Sequence, residues 1–461
     1  MAGCKDFGTA PRRTGQSAKA ENLRKQEFYP LSIIRNDNPL MGFKVVWTPG
    51  ISTHPMNPGG HHRFFRVFPW IAEGWGLRIW GDCEGKCNSC FTTNVGRAFM
   101  RSASLPVPSF CIAVLCGALV PDVAQAFTTA DADTIFAAHT QAFYRTEGAK
   151  GWHRKSTEGD KRADYWTRAE MLEMVLDVHA RTRSPKQLEM FEELFRGFIA
   201  DHGRTWEKND FNDDIMWMVI ACARAHLATK NEEYLKVAKE NFDLCYKRAI
   251  SPDLGGGLWW KTDNKSKNAC VNGPGAIAAF LLGLATRDSS YTAKARELFL
   301  WERATLFDKK TGRVYDSIGK NGKVASFALT YNQGTFVGAA NLLGYNDDAK
   351  LAALFMMNNL CKDGYLPASG ENGDGGGFNG IGVRWVARYM KNSHEQATFE
   401  PWLQKNAEAA WQSRRTEDNL SWCAAPKPTP PGVRYSWGCS NAVVLLQAVP
   451  PTEPGAAPAA R

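Results

Sequence analysis

The chain has 461 residues, of which 44% are hydrophobic and 22% charged, the composition of an ordinary soluble globular protein. Its formal net charge is +9, but residues 1–99 alone carry 13 Lys and Arg against 7 Asp and Glu. The rest is near neutral and lacks the basic face that a nucleic-acid partner would need, so a nucleic-acid-binding function is excluded.

In chain order, residues 1–99 come first. Cys83, Cys87 and Cys90, with His61 and His62, match no standard zinc spacing, so no metal is assigned there. From Met100 the pattern changes. Arg101 supplies a positive start, Phe110 to Val120 is an apolar run, Pro121 breaks it, and Ala124-Gln125-Ala126 is a small-residue cleavage site. These are the three parts of a secretory signal peptide. The run is too short to span a bilayer, so no membrane anchor is expected. A signal works only at an N-terminus. The reading is therefore a native start at Met100, cleavage after Ala126, and a secreted or periplasmic product. Residues 1–99 are then a non-native, disordered extension.

Residues 127–449 read almost wholly with helical period. Twelve helical segments are predicted, beginning near 131, 163, 186, 212, 231, 268, 289, 329, 347, 374, 399 and 438. They alternate between two kinds. One is amphipathic, as in "SPKQLEMFEELFRGFIADH", with one wet face. The other is apolar nearly all round, rich in Ala and Gly, and headed by polar and aromatic residues, as in "FNDDIMWMVIACARA" and "TYNQGTFVGAANLLG". A helix without a wet face is surrounded by protein. Six of each kind predict an all-α fold, an (α/α)6 barrel of six helical hairpins with the motifs gathered at one mouth. Signals for β-hairpins are nearly absent. Residues 450–461, "PPTEPGAAPAAR", are expected to form a disordered tail.

The helix heads carry the candidate chemistry. Asn212-Asp213-Asp214 opens the fourth segment. A single Asn or Asp there is explained as a helix cap; a cap uses one side chain and leaves the second carboxylate unexplained. Further on, "DLGGGLWW" ends in Trp259-Trp260, which could be core or a stacking wall for sugar rings. Tyr331, Asn332 and Gln333 offer a phenol and two amides, which recognise hydroxyls directly or cap a helix. "GENGDGGGFNG" (370–380) is a second Gly-rich rim loop; neither loop has the context of a phosphate loop. No cofactor or metal pattern is present among the scattered histidines.

Together "FNDDIMWMVIACARAHLATKNEEYLKVA", "GGGLWW", "KNA", "TYNQGTFVGAANLL" and "FNGIGVRWVARYM" resemble glycoside hydrolase family 76, over roughly residues 130–448. The resemblance implies an (α/α)6 barrel and a retaining, two-carboxylate cleavage of α-1,6-mannosidic links. By position Asp213 is the nucleophile and Asp214 the acid/base. The implied substrate-binding set is Asn212, Trp259, Trp260, Asn268, Tyr331, Asn332, Gln333 and Phe378. The expected partner is α-mannan or a mannooligosaccharide, acted on by a monomer. A mannan transglycosylase of the same fold, a non-catalytic glycan-binding barrel and a helical-repeat scaffold are the alternatives. Retaining glycosidases hold their carboxyls about 5–5.5 Å apart. At about 5 Å and an effective dielectric of about 20, two negative charges repel by roughly 3 kcal/mol, which favours one ionised and one protonated partner.

Six cysteines follow residue 127: Cys222, Cys245, Cys270, Cys361, Cys423 and Cys439. Cys423 and Cys439 flank a Pro-rich loop, and a disulfide between them is expected in an oxidising compartment.

Overall fold

The computed structural model of the chain describes residues 127–451. The expected N-terminal extension and signal segment, and nearly all of the expected tail, lie outside the described residues. In chain order the elements are α1 (Thr129–Phe143), β1 (Tyr144–Glu147), β2 (Lys150–His153), α2 (Tyr165–Thr182), α3 (Lys186–His202), α4 (Asn212–Thr229) and α5 (Glu232–Ala249). Then come β3 (Ser266–Asn268), α6 (Ala269–Thr286), α7 (Ser289–Thr305), β4 (Ser317–Gly319), β5 (Val324–Ala325) and α8 (Thr330–Leu342). The chain finishes with α9 (Asn346–Phe355), α10 (Phe378–Asn392), α11 (Gln396–Gln412) and α12 (Ser436–Ala448). Every helix begins within four residues of its predicted start.

The even-numbered helices form the inner ring. Each packs on the next, and α12 closes the circle against α2. The odd-numbered helices cover it from outside. The division follows the sequence pattern. In α3, Met190, Phe191, Leu194, Phe195 and Phe198 turn inward as one stripe, leaving charged residues outside. In α6 nearly every side chain is covered. By length and composition α6 could cross a membrane, with a mean hydropathy of 1.5, yet 78% of that window is buried inside the barrel. Small residues set the spacing: a Cβ on Gly334 of α8 would lie 2.5 Å from the Cα of Gly382 on α10. Only glycine permits that approach.

Buried ion pairs tie three inner helices together. Arg384 on α10 donates to Asp177 (2.6 Å) and Glu170 (2.5 Å) on α2. Arg224 on α4 donates to Glu173 (2.6 Å) and Asp177 (2.7 Å). Losing one partner would strand an uncompensated charge in the core.

Two findings depart from the sequence reading. Strands are present, as the hairpin β1–β2 and the three-stranded sheet β3–β4–β5, all antiparallel. At two to four residues each, they are too short to show a period of two. The other departure is that Cys423 and Cys439 are both free. The Cys423 thiol donates to the carbonyl of Ser369 (3.3 Å), and the Cys439 thiol lies 3.8 Å from Glu371 Oε1. Hydrogen bonds hold the loop instead: Thr429 N–H to Ser413 O (2.7 Å) and Arg415 to Gly432 O (2.8 Å).

Candidate active site

The N-terminal ends of α2, α4, α8 and α10 converge on a cleft of about 500 Å³, with Ser266 and Asn268 of β3 at its side. That volume is within the usual range for small-ligand sites, about 300–1,000 Å³. Asp213 and Asp214 both line it.

The acid pair lies in the first turn of α4, after the N-cap residue Phe211, and no side chain caps this helix. Capping therefore does not explain the pair. Asp213 Oδ2 accepts from Trp260 Nε1 (3.0 Å) and from the Cys270 thiol (3.3 Å). Its Oδ1 is buried and has no partner in the protein. Asp214 Oδ2 accepts from Asn209 Nδ2 (3.0 Å). Burial pushes both carboxyls up, and the charge of Asp214 pushes Asp213 further; Asp213 rises to about 7 and Asp214 to about 6. The donors of each side chain act the opposite way, toward the ionised form. Helix-dipole attraction at this N-terminus favours one negative charge as well. The pair titrates as a unit and holds a single charge near neutral pH.

The predicted binding residues divide. Trp260, Asn268, Tyr331 and Phe378 line the cleft. Tyr331 and Phe378 stack at 4.0 Å, with ring planes 17° apart. Asn268 accepts from Ser266 Oγ (2.7 Å). The remaining four do not line it. Trp259 is 3% exposed and lies under the Lys267 ammonium, 4.7 Å away. Asn212 is buried and holds the Trp259 carbonyl (2.8 Å) while accepting from Arg248 (2.7 Å), so it braces the segment that carries Trp260. Gln333 clamps the carbonyls of Gly312 (2.8 Å) and Ala352 (2.9 Å). Asn332 orients a third acid, donating to Asp316 Oδ1 (3.1 Å).

The structure adds residues that the sequence did not single out. Asp316 and Ser317 reach the cleft because β4 pairs with β3, Ser317 opposite Asn268, while the Asp316 carbonyl accepts from Ala269 N–H (2.8 Å). Asp374 comes from the rim loop, and its Oδ1 accepts from Trp166 Nε1 (3.4 Å). Trp166, Trp217, Phe211 and Cys270 complete the walls. Trp166 and Trp217 sit in helix heads whose aromatic content was a usable signal. Nothing in the sequence marks Asp316 or Cys270.

A mouth with paired acids, aromatic walls and amide and hydroxyl groups suits a polyhydroxylated ligand. The family model for glycosyl hydrolase family 76 matches residues 128–438. The chain belongs to this family. Family 76 structures resemble it across the whole barrel. The α-1,6-mannanase of Salegentibacter sp. HEL1_6 is 31% identical and aligns over 69% of this chain and 98% of its own, with a TM-score of 0.64. An inactive variant of that enzyme, with two adjacent aspartates changed to asparagine, is known in complex with α-1,6-mannotriose; it is 30% identical over the same shares, again with a TM-score of 0.64. A protein of Listeria innocua is 25% identical over 69% of this chain and 96% of its own, with a TM-score of 0.62. No curated protein sequence matches. This family 76 glycoside hydrolase thus has the (α/α)6 barrel of its relatives.

Proposed function

We propose that this family 76 hydrolase is a retaining endo-α-1,6-mannanase, with Asp213 as nucleophile and Asp214 as acid/base. The observation that carries the reading is the uncapped, adjacent carboxylate pair at the cleft floor, each acid with its own donor. The Salegentibacter mannanase supports it: changing its two adjacent aspartates gives an inactive protein that binds α-1,6-mannotriose.

The roles follow from the donors. In the free protein the shared proton rests on Asp213, whose carboxyl lies at about 7 against about 6 for Asp214. Two donors, Trp260 Nε1 and the Cys270 thiol, nevertheless point at Asp213, against one at Asp214. Hydrogen bonds to a carboxylate stabilise its charge directly, so with substrate bound the proton passes to Asp214 and the charge to Asp213. Asp213 then attacks the anomeric carbon as Asp214 protonates the departing oxygen. In the second half Asp214 takes a proton from water, which displaces Asp213 from the sugar. Two displacements return the original anomeric configuration.

The test is incubation of residues 127–461 with linear α-1,6-mannan, with products resolved by size and anomer. Internal cleavage giving short α-configured products is expected, and its loss in Asp213→Ala. Hydrolysis with inverted products, or none in the parent protein, overturns the reading.

A further inference from the structure

A second cavity, of about 240 Å³, lies beside the cleft. Lys155 and Asp164 line one side of it, Asn372 and Asp374 of the rim loop another, and Tyr435 and Trp437 at the start of α12 a third. Asp374 belongs to both cavities. Between them stand Trp166 and Trp437, edge to face with centroids 4.8 Å apart. Asp374 fastens this partition, accepting from Trp166 Nε1 at its carboxylate (3.4 Å) and from Trp437 Nε1 at its carbonyl (2.8 Å). The rim loop lies flat on Trp437: a Cβ on Gly377 would sit 2.4 Å from that ring. The divider is therefore fixed in place, and Asp374 is the residue that lines both cavities.

Apart from the Asp374 carboxylate, the charges there are already matched. Lys155 pairs with Asp164 at 2.6 Å, and Arg434 pairs with Glu371 at 2.8 Å. An anionic ligand would be repelled by Asp374, whose carboxylate can instead accept from a hydroxyl. A neutral ring bearing hydroxyls would meet a fixed donor and acceptor in the Lys155–Asp164 pair, the exposed amide of Asn372, the Tyr435 phenol and an indole edge. The cavity is about half the size of the cleft, which suits one sugar unit.

We propose that this cavity is a further sugar subsite, holding one hexopyranose unit of the same glycan chain whose neighbours occupy the cleft across Asp374. The inference rests on the glycan-cleaving reading and makes the enzyme one that reads a run of units.

The test measures kcat/KM on linear α-1,6-mannooligosaccharides of two to six units. In the parent protein the value should rise with length until the cavity is filled. Lys155→Ala and Asn372→Ala should each lower the hexaose-to-triose ratio of kcat/KM by about tenfold, the loss of one charge-assisted or well-placed hydrogen bond. The same ratio in the parent and both variants overturns the subsite. Inactivity of the parent on every oligosaccharide overturns the glycan-cleaving reading instead. Calorimetric binding of mannohexaose to Asp213→Asn/Asp214→Asn, with and without Lys155→Ala, still decides the subsite in that event: roughly tenfold weaker binding supports it, and equal binding removes it.

Discussion

Asp213→Asn should make the protein more stable at pH 8 and leave its stability unchanged near pH 4. Burial and the neighbouring Asp214 raise the Asp213 carboxyl from an ordinary 3.8 to about 7 in the folded chain. A carboxyl raised in the folded state contributes its stability below the unfolded value and loses it as pH climbs through the folded one. Above pH 7 the folded wild type therefore carries an ionised group that its site disfavours, and asparagine does not. About three pH units correspond to roughly 4 kcal/mol as a ceiling. Part of that rise is shared with the coupled Asp214, so about 2 kcal/mol, half the ceiling, is the working figure. The barrel of some 325 residues unfolds with an entropy of about 0.7 kcal/mol per kelvin, so the expected gain is about 3 °C in Tm. The assay is thermal unfolding of both proteins, lacking residues 1–126, at pH 4, 6 and 8. The reasoning is refuted if the variant is no more stable at pH 8, or if its gain is the same at all three pH values; a pH-independent gain would be a packing effect.

The two tryptophans should behave differently. Trp259→Ala should cost about 3–5 kcal/mol of stability, since that ring is in the core. Trp260→Ala should leave melting nearly unchanged and lower kcat about 10- to 100-fold by removing a donor to a charged group; equal losses of stability in both would contradict this. Cys270→Ala removes a donor that favours ionised Asp213, so the acid limb of the kcat/KM profile should move up by about half a pH unit or more, with Cys270→Ser restoring it. An unmoved limb would make Cys270 a packing residue only. With an aryl mannoside, azide should rescue Asp214→Ala and give a retained α product; rescue at Asp213 with a β product would exchange the two roles. Secreted material should begin Phe127-Thr128-Thr129. A product beginning at Met1 with residues 1–99 resistant to protease would remove the export reading.

The sequence by itself determined the ring of helices. Inner helices must be apolar all round and outer ones on one side only, so the alternation is written into the order of residues from α1 to α12. It also marked the mouth, because "NDD", "WW" and "TYNQ" stand at the heads of buried helices or just before them. It could not assign individual side chains to cleft or core. Trp259 and Trp260 are neighbours in sequence, yet in an extended segment successive side chains point to opposite sides, sending one under Lys267 and the other to Asp213. Tyr331, Asn332 and Gln333 lie in one turn of α8, where 100° per residue sends one into the cleft, one to Asp316 and one outward to α9. Asp316 carries no local signal, and Asp374 only its place in the Gly-rich loop 370–380. They reach the acid pair across 103 and 160 residues of chain, through a strand pairing and a rim loop laid on Trp437. Local sequence sets periodicity and burial, whereas convergence of distant carboxylates depends on loop paths that only the closed ring of helices fixes.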